Sequence, residues 1–367
     1  MSAEALTVGE PSSTAQAAHR PLGAPLPMRQ ARAGGLAVSA MGLGCMGMSE
    51  FYGPSTEAQA REVMEAALAS GVRFFDTADV YGNGHNERLL GACLRDHPQR
   101  GELVVATKGG IVRDPKDASR RGVDNSPAYL KDAARRSQDR LGTSIDLYYL
   151  HRIADGGRHI EDSMRAMADL LADGVIGAVG LSEADVPTIC RADVALRQLT
   201  SGRHGLAAVQ SELSLLSRAV ETQGVLRACE RLGILLVAYS PICRGLLADP
   251  GFDPDVLAPD DFRRGLPRFQ AEALLHNQRL ASRVHELARQ VQATPAQLAL
   301  AWVQSRGPHV VPIVGMRQKR RVHENVAACA LTLPLRLLGQ LDDAFAPGVA
   351  LGGRYAAAAM SAYGLSE

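Results

Sequence analysis

The sequence has almost no excess of charge of either sign. Its 367 residues include 40 basic and 39 acidic side chains, which gives a formal net charge of +1. Proteins that bind nucleic acid or an anionic membrane over a broad surface carry a clear excess of basic residues. The balance therefore argues against nucleic-acid and membrane partners, although it is compatible with a local basic pocket.

The sequence also lacks the cysteine patterns of disulfide scaffolds and zinc sites. No two cysteines form a C-x-x-C pair, and none lies near a histidine at the spacing of zinc ligands. Scattered cysteines in a large chain are typical of reduced thiols in the cytosol. We therefore expect a cytoplasmic protein without a metal site. The cysteines are Cys45, Cys93, Cys190, Cys229, Cys243 and Cys329.

Long apolar runs are missing as well. None approaches the roughly 20 residues that a membrane-spanning helix requires. The first 27 residues lack the basic start and apolar core of a secretory signal. They are rich in Ala, Ser, Pro and Gly and show no periodicity, which predicts a disordered extension over residues 1–27.

What the chain does contain is a regular alternation of short apolar runs and longer amphipathic segments, from about Met28 to residue 347. This rhythm predicts parallel strands joined by right-handed crossovers. Eight such units favour a closed (β/α)₈ barrel in a single domain, residues 28–347. The alternative is a doubly wound sheet, but Gly42, Gly44 and Gly47 do not give its usual G-x-G-x-x-G turn. The strand-like runs are 41–46, 72–75, 103–106, 146–150, 175–181, 207–210, 234–239 and 310–314.

Helices are predicted between these strands. The first begins at Thr56 and Gln59, which have the spacing of a capping box. The other helical segments lie near 86–95, 127–140, 161–172, 185–197, 222–231, 275–291 and 318–328.

Two segments depart from the rhythm. Residues 241–274 form a long insertion with five prolines after the seventh strand. A loop of this length is usually functional, and in a barrel it lies on the face where the strands end. The tail, residues 348–367, is rich in Gly and Ala, and it either covers the same face or is disordered.

The predicted strand ends carry side chains that could move a proton. Asp76, Tyr81, Lys108 and His151 all follow or end successive strands. A lysine ammonium favours the phenolate and lowers the pKa of a nearby tyrosine, and a carboxylate keeps that lysine charged. Such a tyrosine can protonate a carbonyl oxygen while the histidine positions it. Each residue alone has an ordinary explanation as a cap, a turn or a rim side chain, but their joint placement favours catalysis.

The segments FFDTADVYG, VVATKGG and DLYYLHR resemble the aldo-keto reductase family. The resemblance implies a catalytic tetrad of Asp76, Tyr81, Lys108 and His151. It also implies NADPH-dependent reduction of aldehydes and ketones to alcohols, with hydride transfer from the nicotinamide and Tyr81 as general acid. The stretch Leu181-Ser182-Glu183 is similar to a bacterial branch of the family, whereas most members have Asn at the third position.

The resemblance further implies a cofactor site that follows the strand ends around the barrel. In it, Ser182 and Gln210 would bind the carboxamide, Tyr239 would stack under the nicotinamide, and the arginines after the eighth strand would bind the 2′-phosphate. The implied cofactor-binding residues are Gly44, Cys45, Met46, Ser182, Gln210, Tyr239, Ser240, Pro241, Ile242, Arg244, Gly315, Met316, Arg317, Arg321, Glu324 and Asn325.

Less is implied about the substrate, beyond a small molecule with a carbonyl group. Tyr52 is expected in its pocket, together with Phe51 and Phe269. Because aromatic residues make up only 4% of the chain, we expect mainly aliphatic walls. Glu183 is interpreted as a carboxylate at a helix start, where the helix dipole favours it.

Two other functions are compatible with these residues. The chain could resemble the potassium-channel β subunits, relatives that bind the nucleotide mainly in a regulatory role. A Schiff-base aldolase would instead use Lys108 and would need no nicotinamide. Nucleotide binding without turnover would favour the first alternative, and failure to bind a nucleotide would favour the second.

Overall fold

The computed structural model describes residues 25–113, 121–249 and 251–362. Most of the predicted extension 1–27 therefore lies outside the described residues, as does the end of the tail. Within residues 25–27, Leu26 is buried and packs against the core. The structure does not decide the predicted domain boundaries.

Eight strands form a closed, all-parallel barrel, which confirms the predicted fold. Each strand pairs with its neighbour in chain order, and the last closes on the first through Ile313 opposite Gly42 and Val314 opposite Leu43. The strands consist mainly of apolar residues buried on both faces, as expected for parallel strands covered by helices. The strands are β1 (Gly42–Gly44), β2 (Phe74–Asp76), β3 (Val104–Gly109), β4 (Leu147–Leu150), β5 (Val179–Ser182), β6 (Leu206–Glu212), β7 (Leu235–Tyr239) and β8 (Val310–Gly315).

Helices surround the barrel, and the predicted ones are present with shifts of a few residues. Thr56 and Gln59 form the predicted capping box at the start of the first helix. The α-helices are Glu57–Ala69, His85–Leu94, Pro127–Leu141, Ile160–Ala172, Val186–Leu199, Ala219–Thr222, Val225–Leu232, Ala271–Arg289, Pro295–Gln304, Lys319–Ala327, Leu335–Ala344 and Ala357–Ala362. Among the described residues, no helix combines the length and the apolar character required to cross a membrane.

Two short hairpins were not predicted from the sequence. Met28–Gln30 pairs antiparallel with Ala37–Ser39. Ala31, Leu36 and Val38 of this hairpin join the cluster inside the barrel, which places the hairpin at the amino ends of the strands. The second hairpin pairs Ile111–Arg113 with Arg121–Val123 directly after β3. It therefore stands at the carboxyl ends of the strands.

The long segment after β7 lies on the same face, as predicted. It contains short 3₁₀ turns rather than strands, and its residues contact the cavity at the carboxyl ends of the barrel. The described part of the tail reaches this face too, where Arg354 is buried. Of the two alternatives for the tail, covering the face is therefore correct as far as residue 362.

Candidate active site

A cavity of about 880 Å³ opens at the carboxyl ends of the strands. It is bounded by the ends of the barrel strands, the segment after β7, the hairpin after β3 and the tail. Its lining includes Asp76, Tyr81 and His151 at and after the strand ends, and Arg317 and Arg321 after β8. The cavity therefore connects the strand ends with the start of the helix after β8.

Asp76 and Lys108 form a buried ion pair at the strand ends. Asp76 is the last residue of β2 and Lys108 lies in β3, so neighbouring strands place them side by side. Lys108 Nζ donates to Asp76 Oδ1 at 2.5 Å and to the carbonyl oxygen of Thr77 at 2.8 Å. Burial lowers the pKa of Lys108, but its interactions with Asp76 and Tyr81 outweigh burial and raise the pKa above its usual value. The lysine is therefore protonated at neutral pH.

Tyr81 lies between this cation and His151. Lys108 Nζ is 5.2 Å from the centre of the Tyr81 ring, and the ring centres of Tyr81 and His151 are 5.7 Å apart at an angle of 84°. Burial raises the pKa of Tyr81, and Lys108 lowers it only part of the way back. The expectation of a lowered pKa is therefore wrong for this state, because desolvation of the phenolate outweighs the cation.

His151 is a neutral imidazole in this environment. Burial is the main cause that lowers its pKa well below the usual value, and the charges of Arg152, Lys108 and Arg121 add to it. Its Nδ1 atom has no hydrogen-bond partner among the described residues. A neutral ring can donate one hydrogen bond to a substrate without repelling the Lys108 ammonium.

Gln210 and Ser182 lie beside the tetrad on β6 and β5, and both line the cavity. Gln210 Nε2 donates to Asp76 Oδ2 at 2.8 Å, so the amide is oriented by the same carboxylate that holds the lysine. Arg152, which follows His151, donates to Ser182 Oγ at 3.2 Å and to the His151 carbonyl oxygen at 2.7 Å. The hydroxyl of Ser182 is thus fixed by a buried cation.

Glu183 does not serve as a helix-start carboxylate, contrary to the expectation. Asp185 caps the following helix, and Glu183 has a left-handed backbone with φ of 56°. Its carboxylate accepts two hydrogen bonds from Arg354 of the tail, at 2.6 and 3.0 Å. Burial opposes ionisation, but Arg354 outweighs it and the pKa of Glu183 lies below its usual value.

The tail thereby reaches the residue expected under the nicotinamide. Arg354 Nη1 donates to Tyr239 Oη at 3.3 Å, and the hydroxyls of Tyr239 and Tyr355 are 3.4 Å apart. Tyr355 also packs against the Arg244 guanidinium, 4.9 Å from ring centre to Cζ. The tail is therefore part of the wall of the site.

Arg244, an implied cofactor-binding residue in the segment after β7, is buried in an ion pair. Its Nη2 atom donates to Glu212 Oε2 at 2.9 Å. Its Nη1 atom has no hydrogen-bond partner among the described residues. The ion pair with Glu212 therefore occupies Nη2 of the guanidinium, whereas Nη1 makes no hydrogen bond to a described residue.

The basic cluster after β8 lies at the far end of the cavity. Arg317 donates to the carbonyl oxygens of Tyr52 and Pro54, so it bridges the loops after β8 and β1. Arg321 Nη1 donates to Glu324 Oε2 at 2.6 Å on the exposed helix surface. Asn325 is buried, and its Oδ1 atom lacks a partner among the described residues.

Most predicted site residues border this cavity. Cys45, Lys108 and Glu324 do not line it: Cys45 is buried against the carbonyl oxygen of Leu43, and the other two contact lining residues. The predicted residues on the lining are Gly44, Met46, Tyr52, Asp76, Tyr81, His151, Ser182, Gln210, Tyr239, Ser240, Pro241, Ile242, Arg244, Gly315, Met316, Arg317, Arg321 and Asn325.

The expected substrate wall needs one correction. Phe269 is buried and packs on Phe252, with ring centres 5.1 Å apart, so it lies behind the lining rather than on it. Aliphatic side chains such as Val80, Ile111 and Ile242 line the cavity, and aromatic side chains are concentrated there as well. Seven of the chain's 15 Phe and Tyr residues line it: Phe51, Tyr52, Tyr81, Tyr239, Phe252, Phe262 and Tyr355.

Three groups at the site were not predicted from the sequence. Arg152 stands next to His151 in the quoted DLYYLHR segment, so its position gave a direct signal. Arg354 and Tyr355 belong to a tail without periodicity, and only their residue types distinguish them. Arg121 comes directly after residues 114–120, which lie outside the described residues. No regular sequence pattern marks its position.

Comparison with known proteins agrees with this geometry. The sequence profile of the Aldo/keto reductase family matches residues 40–345. The chain is 38% identical over 324 residues to the probable aldo-keto reductase 1 of Glycine max, a match that covers 88% of this chain and 89% of that relative.

Solved structures give the same fold. The glycerol dehydrogenase from Gluconobacter oxydans is similar with a TM-score of 0.75 and 26% identity, over 88% of this chain and 96% of that one. An aldo-keto reductase from Bacillus halodurans is similar with a TM-score of 0.68 and 24% identity, over 87% and 97% of the two chains, which bears on the fold alone.

The family match spans every barrel strand and the four residues of the predicted tetrad. Together with 38% identity over most of the chain, it assigns the protein to a group of oxidoreductases that act on carbonyl and alcohol groups. The chain belongs to the aldo/keto reductase family.

Proposed function

We propose that the protein reduces aldehydes or ketones to alcohols with NADPH, with Tyr81 as the general acid. The observation that carries the proposal is the convergence of Asp76, Tyr81 and His151 on the lining of one cavity, with Lys108 buried against Asp76. A nicotinamide nucleotide bound there would supply the hydride. The remaining chemistry is a single proton transfer to the carbonyl oxygen, which these residues can perform.

The residues of the cavity fit such a nucleotide. The partnerless Oδ1 atom of buried Asn325 offers an acceptor for an adenine amino group. The helix Lys319–Ala327 begins beside the cavity, and its N-cap residue Gln318 makes no side-chain cap bond. Its first N–H groups and the nearby guanidinium groups of Arg317 and Arg321 can therefore donate hydrogen bonds to phosphate oxygens.

The proposed roles at the reacting end follow from charge and burial. Tyr81 stays protonated because its pKa is raised, so it can donate a proton. The Lys108 ammonium stabilises the phenolate that remains, and Asp76 keeps that ammonium in place. The neutral His151 donates a hydrogen bond to the same carbonyl oxygen and orients it toward Tyr81.

The preference for NADPH over NADH is part of the proposal and rests on the basic cluster after β8. Arg321 is half-exposed and could turn from Glu324 toward a 2′-phosphate.

A cytoplasmic location is proposed on the basis of six free cysteines, which suit a reducing compartment.

The first experiment is a fluorescence titration with NADPH and NADH, followed by NADPH consumption on a panel of aromatic aldehydes. We expect tighter binding of NADPH and measurable turnover. Tyr81→Phe should lower kcat by about 10²–10⁴-fold, the usual contribution of a general acid, without a matching loss of nucleotide affinity. Binding without turnover would move the conclusion to a regulatory role, and absence of binding would overturn the cofactor site.

A further inference from the structure

The hairpin after β3 brings a cation to the substrate end of the cavity. Arg121 lines the cavity together with Ile111, Tyr81 and His151. Its guanidinium packs over the Phe51 ring, 5.1 Å from the ring centre, and its side chain is 24% exposed. A partly desolvated guanidinium near the reacting groups is a strong anchor for an anion.

The carboxylate nearest to Arg121 is already engaged by another arginine. Glu50 accepts two hydrogen bonds from Arg113, at 2.5 and 2.6 Å, and a third from the Gly82 N–H at 2.9 Å. Arg121 reaches the same carboxylate only at 3.4 Å. Two guanidinium groups therefore share one carboxylate, and the charge of Arg121 is the less compensated of the two.

Among the described residues, the lining of the cavity carries few other acids. Among the described residues that line the cavity, the carboxylates are Asp76 and Asp249. Asp76 is engaged by Lys108 and Gln210, and Asp249 lies in the segment after β7. The influence of Arg121 on the active site is direct, because its charge is one of those that depress the pKa of His151.

Apolar side chains lie beside both Tyr81 and Arg121. Val80 and Ile111 are buried beside Tyr81 in one small cluster, and Met46 and Phe51 pack against it. A flat or short apolar body would fit against these side chains.

We propose that the physiological substrate is an aldehyde or ketone that carries a carboxylate on an apolar body. Its carbonyl oxygen would lie at Tyr81 and His151, and its carboxylate would bind Arg121. This inference rests on the proposed function, since it assigns the substrate class of the same site.

The test compares 3- and 4-carboxybenzaldehyde with the carbamoylbenzaldehydes of the same shape, which are neutral. For the unaltered protein, we expect kcat/KM of the charged aldehyde to exceed that of its neutral counterpart by about tenfold or more in at least one pair. Arg121→Met should reduce this ratio to near unity, and Arg121→Lys should keep part of it because the charge remains. The matched control is Arg135→Met, which removes an exposed arginine paired with Asp173 on the barrel surface.

The outcomes separate this proposal from the proposed function. If neutral aldehydes are reduced and the carboxylate brings no advantage, the substrate class is wrong and the reductase activity stands. If the advantage persists in both Arg121 variants, the anion binds elsewhere and Arg121 is not its ligand. If none of the aldehydes is reduced, the proposed function itself fails. A preference that declines with added salt in the unaltered protein would support a charge contact, since exposed ion pairs are screened.

Discussion

At the scale of single residues, the proposed proton donation depends on the Lys108–Tyr81 pair. Burial makes Tyr81 a poor acid, and the ammonium 5.2 Å from its ring offsets part of this effect. Loss of the ammonium would raise the pKa of Tyr81 further, because Lys108 is the largest of the charges that lower it. In the proposed mechanism, the phenol therefore stays protonated at rest, and Lys108 offsets part of the cost of forming the phenolate.

Lys108→Met should therefore change both the rate and its dependence on pH. Donation requires the protonated phenol, so activity is lost as pH rises through the pKa of Tyr81. We expect the alkaline limb of kcat to move to higher pH in the variant, and kcat at neutral pH to decrease by about 10²-fold or more. NADPH consumption measured across the pH range checks both effects. A variant with reduced kcat and an unmoved alkaline limb would show that Lys108 does not act through Tyr81.

Residue types and their order predicted the tetrad, but they could not predict how its charges balance. The motifs placed Asp76 and Lys108 at neighbouring strand ends, and parallel pairing made their contact unavoidable. The sign of the Tyr81 pKa shift depends on the depth of burial, which no spacing reveals. The same holds for Glu183, whose partner Arg354 lies 171 residues away.

At the scale of elements, the tail closes a polar network that the barrel leaves open. Glu183 and Glu212 end neighbouring strands, and the Glu212 N–H donates to Glu183 Oε1 at 2.9 Å. Arg354 supplies the cation for Glu183 and contacts the Tyr239 hydroxyl as well. The loop ends expected to hold the nicotinamide are thus connected through one arginine of the tail.

Arg354→Gln should lower both stability and nucleotide affinity. Removal of one partner leaves the Glu183 carboxylate buried without its main counter-ion, which costs about 3–5 kcal/mol of unfolding free energy. Urea denaturation measures this loss, and fluorescence titration measures the accompanying increase in the Kd of NADPH. The double variant Glu183→Gln with Arg354→Gln should recover much of the stability, because no unpaired charge remains. Additive losses in the double variant would contradict a direct pairing.

Two kinds of element were not predicted from the sequence: very short strands, and a helix whose capping pattern was not used. The two hairpins have strands of three residues, too short for any periodicity. The helix Pro295–Gln304 starts with Thr294 and Gln297 in a full capping box, and this sequence pattern predicts a helix start at that position. Its interior is apolar on nearly all sides around the buried Trp302, which removes the amphipathic pattern that marks surface helices.

At the scale of the whole molecule, barrel closure brings the loops after the first and last strands to one site. β8 pairs with β1, so the basic cluster after residue 315 faces the loop after Gly44. Arg317 accordingly contacts the carbonyl oxygens of Tyr52 and Pro54, more than 260 positions earlier in the chain. A nucleotide in this cavity would contact loops from the first strand to the last, and it would find its site only in the closed barrel.

Nucleotide binding should therefore stabilise the whole barrel against unfolding, and NADPH should do so more than NADH. A ligand that binds only the folded state adds about 2.7 kcal/mol at a concentration of 100 times its Kd. Because Arg321 is 44% exposed and shares its charge with Glu324, we expect it to favour NADPH by about tenfold rather than by orders of magnitude, or about 1.4 kcal/mol. Thermal denaturation with each nucleotide at the same concentration measures this difference as a larger rise in Tm with NADPH.

Arg321→Ala should bring the two rises in Tm together. Arg320→Ala, which removes an exposed neighbour outside the cavity lining, should leave them apart. Equal rises in the unaltered protein would mean that no side chain of the cluster distinguishes the 2′-phosphate, and that the reductase accepts either nucleotide.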